Sequence, residues 1–209
     1  MEVTDAKPKI EQALSKKTDR KFTQTVEAIF NFEGVQMEGA HKLNLNVQLP
    51  KGRGKEVEIG VFADGDMNVQ SKKVSKHVLS KAELEEMAKD RRKMRTYSNQ
   101  CYGFISQPDL MASIGKSWGI VLGPRGKMPQ PVPPNANVEE AINRFKNTVR
   151  VKSKKLPNVQ VPIGSEKLSP EDMVENLEAV YTAVERIIPR EQIKSLYVKT
   201  TMGEAVRVW

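Results

Sequence analysis

The chain has 209 residues, of which 38% are hydrophobic and 29% charged, a balance typical of folded proteins and too apolar for a disordered polyelectrolyte. Its net charge of +8 favours a polyanionic partner, although a solubilising basic surface explains it equally well. A single cysteine and two histidines exclude an internal disulfide and a Cys/His zinc cage, so we expect no metal and no cofactor. No apolar run is long enough to span a bilayer, and we expect a soluble, unprocessed cytoplasmic protein with no membrane partner.

The first segment predicts a short helix followed by strands. Ile10, Ala13 and Leu14 lie at helical spacing within residues 4–14, which predicts the helix. Residues 22–32 are rich in Thr, Val, Ile and Phe, and residues 43–49 alternate apolar and polar side chains, so both ranges predict strands. The alternation indicates an antiparallel sheet with one solvated face.

The middle of the chain follows a different pattern. After the Pro/Gly break at residues 50–55, predicted strands alternate with predicted helices, which implies a parallel sheet with crossover helices, a Rossmann-like α/β domain. The predicted elements are a strand at 57–63, a helix at 81–97, a strand at 101–106, a helix at 109–118, a Gly/Pro-rich loop at 123–134 and a helix at 138–149.

The last segment returns to the pattern of the first. Residues 159–163 alternate, Ser169 and Pro170 predict a helix start, Pro189 ends that helix, and residues 195–201 and 205–209 predict strands. We therefore predict a discontinuous α+β domain, residues 1–53 and 151–209, with an α/β domain, residues 54–150, inserted into it. The two crossings predict a hinge at Gly52, Gly54 and Arg150.

Charge is unevenly distributed over these predicted domains. Residues 1–53 carry +2, residues 54–150 carry +5 and residues 151–209 carry +1. A basic run contributes to the middle value: Lys89, Arg91, Arg92, Lys93 and Arg95. A run of this kind is more often a solvated helix face than a phosphate contact, and docking of an acidic protein is a further alternative.

Signals for an enzyme are weak. Gly115-Lys116-Ser117 ends like a phosphate-binding P-loop, but Leu110 stands where that motif requires glycine. The segment 123–128 lacks the Ser or Thr that would hold magnesium, and no Ser/His/Asp set is recognisable. We predict no catalytic residues and keep a nucleotide-binding enzyme on the inserted α/β domain as the alternative.

The most specific feature is Lys199-Thr200-Thr201-Met202-Gly203 near the C-terminus. Its simplest interpretation is a β-turn. Its chemical interpretation is an RNA contact, because Thr201 can bond a ribose hydroxyl, Met202 can pack on a sugar or base, and Gly203 lets another backbone approach.

Together with residues 21–27 (KFTQTVE), 49–55 (LPKGRGK) and 122–129 (LGPRGKMP), this motif resembles the family of the ribosomal stalk protein "L-one". The motifs occur in the order of that family, span essentially the whole chain, and in the Lys127-Met128-Pro129 form resemble archaeal members. The resemblance implies two domains joined by a hinge.

The resemblance also implies a function and a set of contact residues. Family members bind large-subunit rRNA of the mobile stalk, assist release of deacylated tRNA from the exit site and in some cases repress translation of their own mRNA. We therefore expect a protein of the cytoplasmic ribosome that is not an obligate homo-oligomer. The expected RNA contacts are Phe22, Thr25, Glu27, Ser195, Thr201, Met202 and Gly203, with peripheral phosphate contacts from Lys21, Lys51 and Lys167. The family often has His at the position of Lys51.

Overall fold

The computed structural model describes residues 6–133 and 136–209. Thr4 and Asp5 of the predicted first helix and Pro134 of the predicted loop lie outside the described residues. The chain folds as two units: a terminal unit, Met1–Lys55 with Asn147–Trp209, and a middle unit, Glu56–Lys146. The divisions fall two residues later and four residues earlier than the sequence predicts. That the units are domains joined by a hinge stays a prediction.

Helices and strands are interspersed along most of the described chain. They are α1 (Lys7–Ser15), β1 (Thr25–Phe32), β2 (Asn44–Gln48), β3 (Ile59–Phe62), α2 (Gly65–Val74), β4 (His77–Leu79), α3 (Lys81–Ala88), α4 (Arg91–Gln100), β5 (Gly103–Ser106), α5 (Met111–Ser117), α6 (Gly119–Arg125), β6 (Gln130–Pro131), α7 (Val138–Lys146), β7 (Thr148–Lys152), β8 (Asn158–Ser165), α8 (Pro170–Glu185), β9 (Ile193–Thr200) and β10 (Val206–Arg207).

The terminal unit contains an antiparallel sheet of order β10-β9-β1-β8 and a separate β2-β7 ribbon. Along β1 every second side chain is fully buried, and these side chains share one apolar core with α1 and α8. The alternate side chains of β1, which include Thr25 and Glu27, are only half-buried. The one-sided antiparallel pairing predicted from residues 43–49 is confirmed in the β2-β7 ribbon, where Asn44, Asn46 and Gln48 are exposed and Val47 is buried.

The middle unit contains a parallel sheet of order β4-β3-β5-β6. Its two faces pack into different apolar clusters, one with side chains of α3 to α6 and the other with side chains of α2 and α7. Both faces of β3 and β5 are buried along their whole length, which explains why β3 is continuously apolar instead of alternating. The predicted parallel sheet is confirmed.

Three predicted helical ranges differ from the structure. The range 81–97 is divided because the Asp90 carboxylate accepts hydrogen bonds from the backbone N–H groups of Arg92 and Lys93, at 2.8 and 3.3 Å, and so caps a new helix, α4. The range 109–118 begins as a 3₁₀ turn at Pro108–Leu110. The range 138–149 ends at Lys146, and Val149 lies in β7 opposite Val47.

Two helices were absent from the sequence prediction. α2 buries the polar side chains of Asn68 and Ser71, which hides its apolar periodicity. α6 occupies the first residues of the predicted Gly/Pro-rich loop and tolerates Pro124 in its last turn, where Gly126 ends it with φ +67°. Composition alone therefore misidentified the start of this loop.

The division of the chain also changes its charge distribution. Lys55 and Arg150 belong to the terminal unit, so residues 56–146 carry +3 and the remaining residues +5 of the total +8. The predicted concentration of charge in the middle of the chain was wrong, because it depended on two residues at the boundaries.

Candidate nucleic-acid interface

The beginning of β1 and the end of β9 meet at one corner of the antiparallel sheet. The Thr201 N–H donates to the Thr25 carbonyl at 3.0 Å. The Thr201 hydroxyl accepts from the Thr25 N–H at 3.0 Å and donates to the Thr25 carbonyl at 3.2 Å. A hydroxyl has one donor and two acceptor lone pairs, so Thr201 keeps one lone pair for a ligand. Donation from Thr201 to a ribose hydroxyl would compete with this internal bond.

Gln24 fixes the backbone of the same corner from within the protein. Its side chain is 1% exposed, donates through Nε2 to the Thr18 carbonyl at 2.6 Å and accepts through Oε1 from the Met202 N–H at 3.0 Å. The Thr18 hydroxyl donates to the Met202 carbonyl at 3.3 Å. The Met202 backbone is therefore held on both sides.

Thr200 to Gly203 form the β-turn that the sequence predicted, closed by a hydrogen bond from the Gly203 N–H to the Thr200 carbonyl at 3.2 Å. A Cβ atom on Gly203 would collide with the Thr200 hydroxyl. That hydroxyl is fully buried and has no hydrogen-bond partner among the described residues. The packing of the turn is thus itself sufficient to require glycine.

The corner exposes apolar side chains. Among the described residues of the terminal unit, the large hydrophobic side chains that are exposed are Phe22 at 51%, Leu156 at 66% and Met202 at 50%. Two of these three belong to the corner, since Phe22 lies two residues before Gln24 and Met202 is bonded to it. An aromatic ring and a thioether held in water provide a surface for flat apolar groups.

An ion pair between Lys17 and Glu166, the residue that follows the neighbouring strand β8, supports the corner. The Glu166 carboxylate accepts from the Gln24 N–H at 3.0 Å and pairs with the Lys17 ammonium at 3.2 Å. The Gln24 hydrogen bond, followed by the Lys17 contact, lowers the pKa of Glu166 below its usual value of 4.5. Lys21 and Lys167 are exposed nearby in the chain and remain available for phosphate.

Glu27 lies on the half-buried face of the sheet, directly opposite Lys199 of β9. Within the part of the chain that the structure describes, no cation forms an ion pair with Glu27. Its carboxylate can therefore accept hydrogen bonds from a ligand. Lys199 belongs to the predicted C-terminal motif but was not predicted as a contact.

Ser195 is separated from the corner along β9. It pairs with Asn31, whose side-chain amide donates to its hydroxyl at 3.0 Å, and it is only 6% exposed. Six residues of strand separate Ser195 from Thr201, about 20 Å at the usual rise. Because Asn31 and Glu27 project from the same face of β1, a ligand would have to run along that face to reach Ser195.

The predicted hinge glycines have left-handed backbone angles, φ +67° for Gly52 and +65° for Gly54, which explains the choice of glycine. Asn176 of α8 accepts from the Lys51 N–H at 3.0 Å and donates to the Gly52 carbonyl at 2.9 Å. The Ser165 hydroxyl donates to the Gly54 carbonyl at 2.7 Å. The segment is thus fixed to the terminal unit, and its role as a hinge stays a prediction.

Two basic residues near the predicted crossings are engaged within the terminal unit. The Lys51 ammonium lies 3.7 Å from Asp172 and 3.4 Å from Glu175, which reduces its attraction for phosphate. Arg150 lies inside β7, and its guanidinium donates to the Asn44 side chain at 3.1 and 2.9 Å. For Arg150 to act as a hinge, the pairing of β7 with β2 would have to break.

The middle unit has a polar crevice of about 460 Å³ at the carboxyl edge of its parallel sheet. This edge, where chain order reverses between β3 and β5, is the usual ligand position in such sheets. Here the Gln107 side chain bonds both the N–H and the carbonyl of Asp64, at 3.0 and 3.3 Å. Asp64 and Asp109 line the crevice together with Lys81 and Lys116, so its charges balance and it has no excess of positive charge for a nucleotide phosphate.

Two further features bear on the enzyme alternative, the P-loop-like segment and the side chains that could hold a metal ion. Gly115-Lys116-Ser117 lies in α5, and its Ser117 hydroxyl donates to the Ser113 carbonyl at 2.8 Å. Within residues 6–133 and 136–209, no group of His, Cys, Asp and Glu side chains is arranged to hold a metal ion. In the same ranges, no helix has the length and apolarity needed to cross a membrane.

Comparison with known proteins identifies the family. The Ribosomal protein L1p/L10e family matches residues 14–204. The chain belongs to this family. Large ribosomal subunit protein uL1 of Methanobrevibacter smithii is 42% identical over 203 residues, 95% of this chain and 96% of that protein. The proteins of that name from Pyrococcus horikoshii and Methanosarcina barkeri are 42% and 38% identical over 203 residues, covering 95% of this chain and 93% and 95% of theirs.

The resemblance to archaeal members of this family, predicted from four short motifs, is confirmed. Membership supports a structural constituent of the ribosome and implies that the chain is not an enzyme. The motifs also receive structural explanations: Lys127, for example, donates to the Ser98 and Cys101 carbonyls at 2.7 and 2.6 Å and so caps the end of α4.

No sequence pattern predicted the residues that position the corner and the 51–54 segment. Gln24 lies inside a motif that was recognised, but a polar residue at a strand start gives no sign of burial. Glu166 and Asn176 act through contacts to residues more than a hundred positions away. Only the fold brings these partners together.

Proposed function

We propose that this chain is a structural protein of the large ribosomal subunit whose terminal unit binds rRNA through the corner of Phe22, Thr25, Thr201, Met202 and Gly203. The observation that carries the proposal is the pair of half-exposed side chains, Phe22 and Met202, of which Met202 has a backbone fixed by hydrogen bonds to Thr18 and Gln24. Rigid exposed apolar groups suit unstacked bases and sugars, which proteins recognise in folded RNA.

Polar groups around the corner orient the bound RNA through hydrogen bonds. The remaining Thr201 lone pair accepts from a ribose 2′-hydroxyl, and the Glu27 carboxylate accepts from a base amino group or a hydroxyl, as a carboxylate repels phosphate. Lys21 and Lys167 contact phosphates at the edge, and Ser195 extends the contact along the sheet face. Shape and sugar recognition therefore contribute more than net charge.

The wider role is proposed from the family resemblance, and the names of the relatives support its place in the large ribosomal subunit. The protein resides on the cytoplasmic ribosome, assists release of deacylated tRNA from the exit site and represses translation by binding its own mRNA. It acts as one copy and not as an obligate homo-oligomer. If one surface serves both RNAs, stalk rRNA and the mRNA leader will compete for it; simultaneous binding would contradict a shared surface.

The direct test is a gel-shift titration of a stalk rRNA fragment at fixed salt. Met202→Asp is expected to weaken binding by at least ~1 kcal/mol, about fivefold, because it places a carboxylate in the contact. Leu156→Asp is the matched control, since it makes the same change at another exposed apolar position of the terminal unit. Equal affinities for the two variants would remove the basis of the proposal.

A further inference from the structure

The beginning of α4 presents cations that the protein itself does not neutralise. Four cations lie in α4 and a fifth lies just before its capping residue Asp90. All five are exposed: Lys89, Arg91, Arg92, Lys93 and Arg95. Within the described ranges, none of them forms an ion pair, whereas the terminal unit pairs Lys7, Lys16, Lys17, Lys51 and Lys194 with carboxylates. The one acid among them, Asp90, is engaged in capping the helix.

A shallow, open groove of about 470 Å³ lies beside these cations, and the exposed surface of its lining is mainly the apolar part of otherwise polar side chains. We call it the α4 groove; its walls are Met87, Asp90, Arg92, Lys93, Thr96, Tyr97 and Gln100. The ring of Tyr97 packs against Phe104 and Trp118, so this wall is rigid. The exposed Gln100 amide has no hydrogen-bond partner among the described residues.

We propose that the α4 groove is a second RNA-binding site, in which Arg92 and Lys93 bind backbone phosphates and the groove receives a base. Apolar walls suit the base, and an amide with free donors and acceptors suits its polar edge. A segment made only of acidic residues would use the cations but would bring no flat apolar group to the groove. RNA uses all three features, and its phosphates complement the unpaired charge.

The experiment uses the full chain and a short, fluorescent, single-stranded oligoadenylate, followed by anisotropy over a range of salt. Arg92→Gln with Lys93→Gln is expected to weaken binding about tenfold or more at low salt and to reduce the salt slope by about 1.4, the loss of two phosphate contacts. Lys72→Gln with Lys73→Gln removes the same charge from exposed positions on α2. This control is expected to weaken binding less than about twofold, and equal losses in both variants would overturn the proposal.

Two further probes test the base and the partner class. An abasic oligonucleotide of equal length is expected to bind at least ~fivefold more weakly, because the base contact is absent; equal binding would overturn the assignment of the groove. Polyglutamate that binds the groove as tightly as oligoadenylate would instead indicate an acidic protein partner and overturn the RNA assignment. Leu156→Asp, at an exposed position outside both surfaces, is expected to leave oligoadenylate binding unchanged. The rRNA corner is measured separately by the stalk rRNA gel shift, so failure at α4 is distinguishable from failure of the corner.

Discussion

The Thr201 hydroxyl both accepts a hydrogen bond from the Thr25 N–H and donates one to the Thr25 carbonyl. One side chain thereby continues the pairing of β1 and β9 beyond the last strand residue. Its neighbour Thr200 is fully buried with a hydroxyl that has no partner among the described residues. The hydroxyls of these adjacent threonines therefore differ, since that of Thr201 makes two hydrogen bonds and that of Thr200 makes none with the described residues.

Replacement of these threonines by valine is expected to change stability in opposite directions. Thr201→Val loses two hydrogen bonds and should lower the free energy of unfolding by about 1–2 kcal/mol. Thr200→Val removes a buried hydroxyl that no described group satisfies and should raise it by about 1 kcal/mol. Urea unfolding of both variants measures the difference, and a change of the same sign in both would contradict the hydrogen-bond assignment.

Gln24→Leu is expected to destabilise the protein and to weaken RNA binding, although Gln24 is buried. The substitution leaves the Met202 N–H and the Thr18 carbonyl without their partner, a loss of about 1–3 kcal/mol. Gln12→Leu, at an exposed position of α1, is the control and should change stability by less than about 0.5 kcal/mol. Thermal unfolding and the rRNA gel shift give the two results, and normal rRNA affinity in Gln24→Leu would show that the turn needs no such support.

Alanine at Gly54 is expected to cost more than alanine at Gly34. Both glycines have positive φ, +65° and +71°, so each variant should lose about 1–2 kcal/mol to backbone strain. Only at Gly54 would the new Cβ also collide, 2.6 Å from Leu168 Cγ and Ser165 Oγ, whereas Gly34 has open space around it. Chemical denaturation should separate the variants by at least ~1 kcal/mol; equal stabilities would mean that the 51–54 segment is not held as described.

Acidification is expected to weaken the corner through Glu166, whose pKa is lowered by the Gln24 hydrogen bond and by Lys17. A carboxyl with a lowered folded-state pKa contributes stability that is complete above its unfolded pKa and is lost as the pH falls through the folded one. The difference in Tm between the natural chain and Glu166→Gln should therefore be largest above the usual value of 4.5 and should vanish in stronger acid. A difference independent of pH would exclude this ionisation as its source.

Cys101 is expected to resist alkylation in the folded protein. It is 1% exposed, and burial raises the pKa of its thiol to about 11. At pH 8 the reactive thiolate is therefore scarce as well as inaccessible. Iodoacetamide should modify the chain at least ~100-fold faster in urea than in buffer, as both restraints are removed. Comparable rates would indicate that the middle unit opens readily.

Strand prediction succeeded where one physical constraint governed the pattern. The alternation around Val47 and the apolar run of β3 follow from burial of one sheet face or of both. Helix prediction failed where local and distant interactions competed. Asp90 divides a continuous helical pattern by capping, and Val149 pairs with Val47 instead of ending a helix because the ribbon partner lies about a hundred residues away.

The sequence by itself determined the family and the two alternating patterns of secondary structure, because short motifs and side-chain periodicity are local properties of the chain. It also predicted most members of the corner that we propose to bind RNA. The tertiary structure decided which groups remain free to bind. It engages Thr201 with Thr25, pairs Lys51 with carboxylates and hides Gln24, while it leaves Met202 and the α4 cations exposed. Hydrogen bonds and ion pairs between distant segments exist only after folding, so no local pattern encodes them.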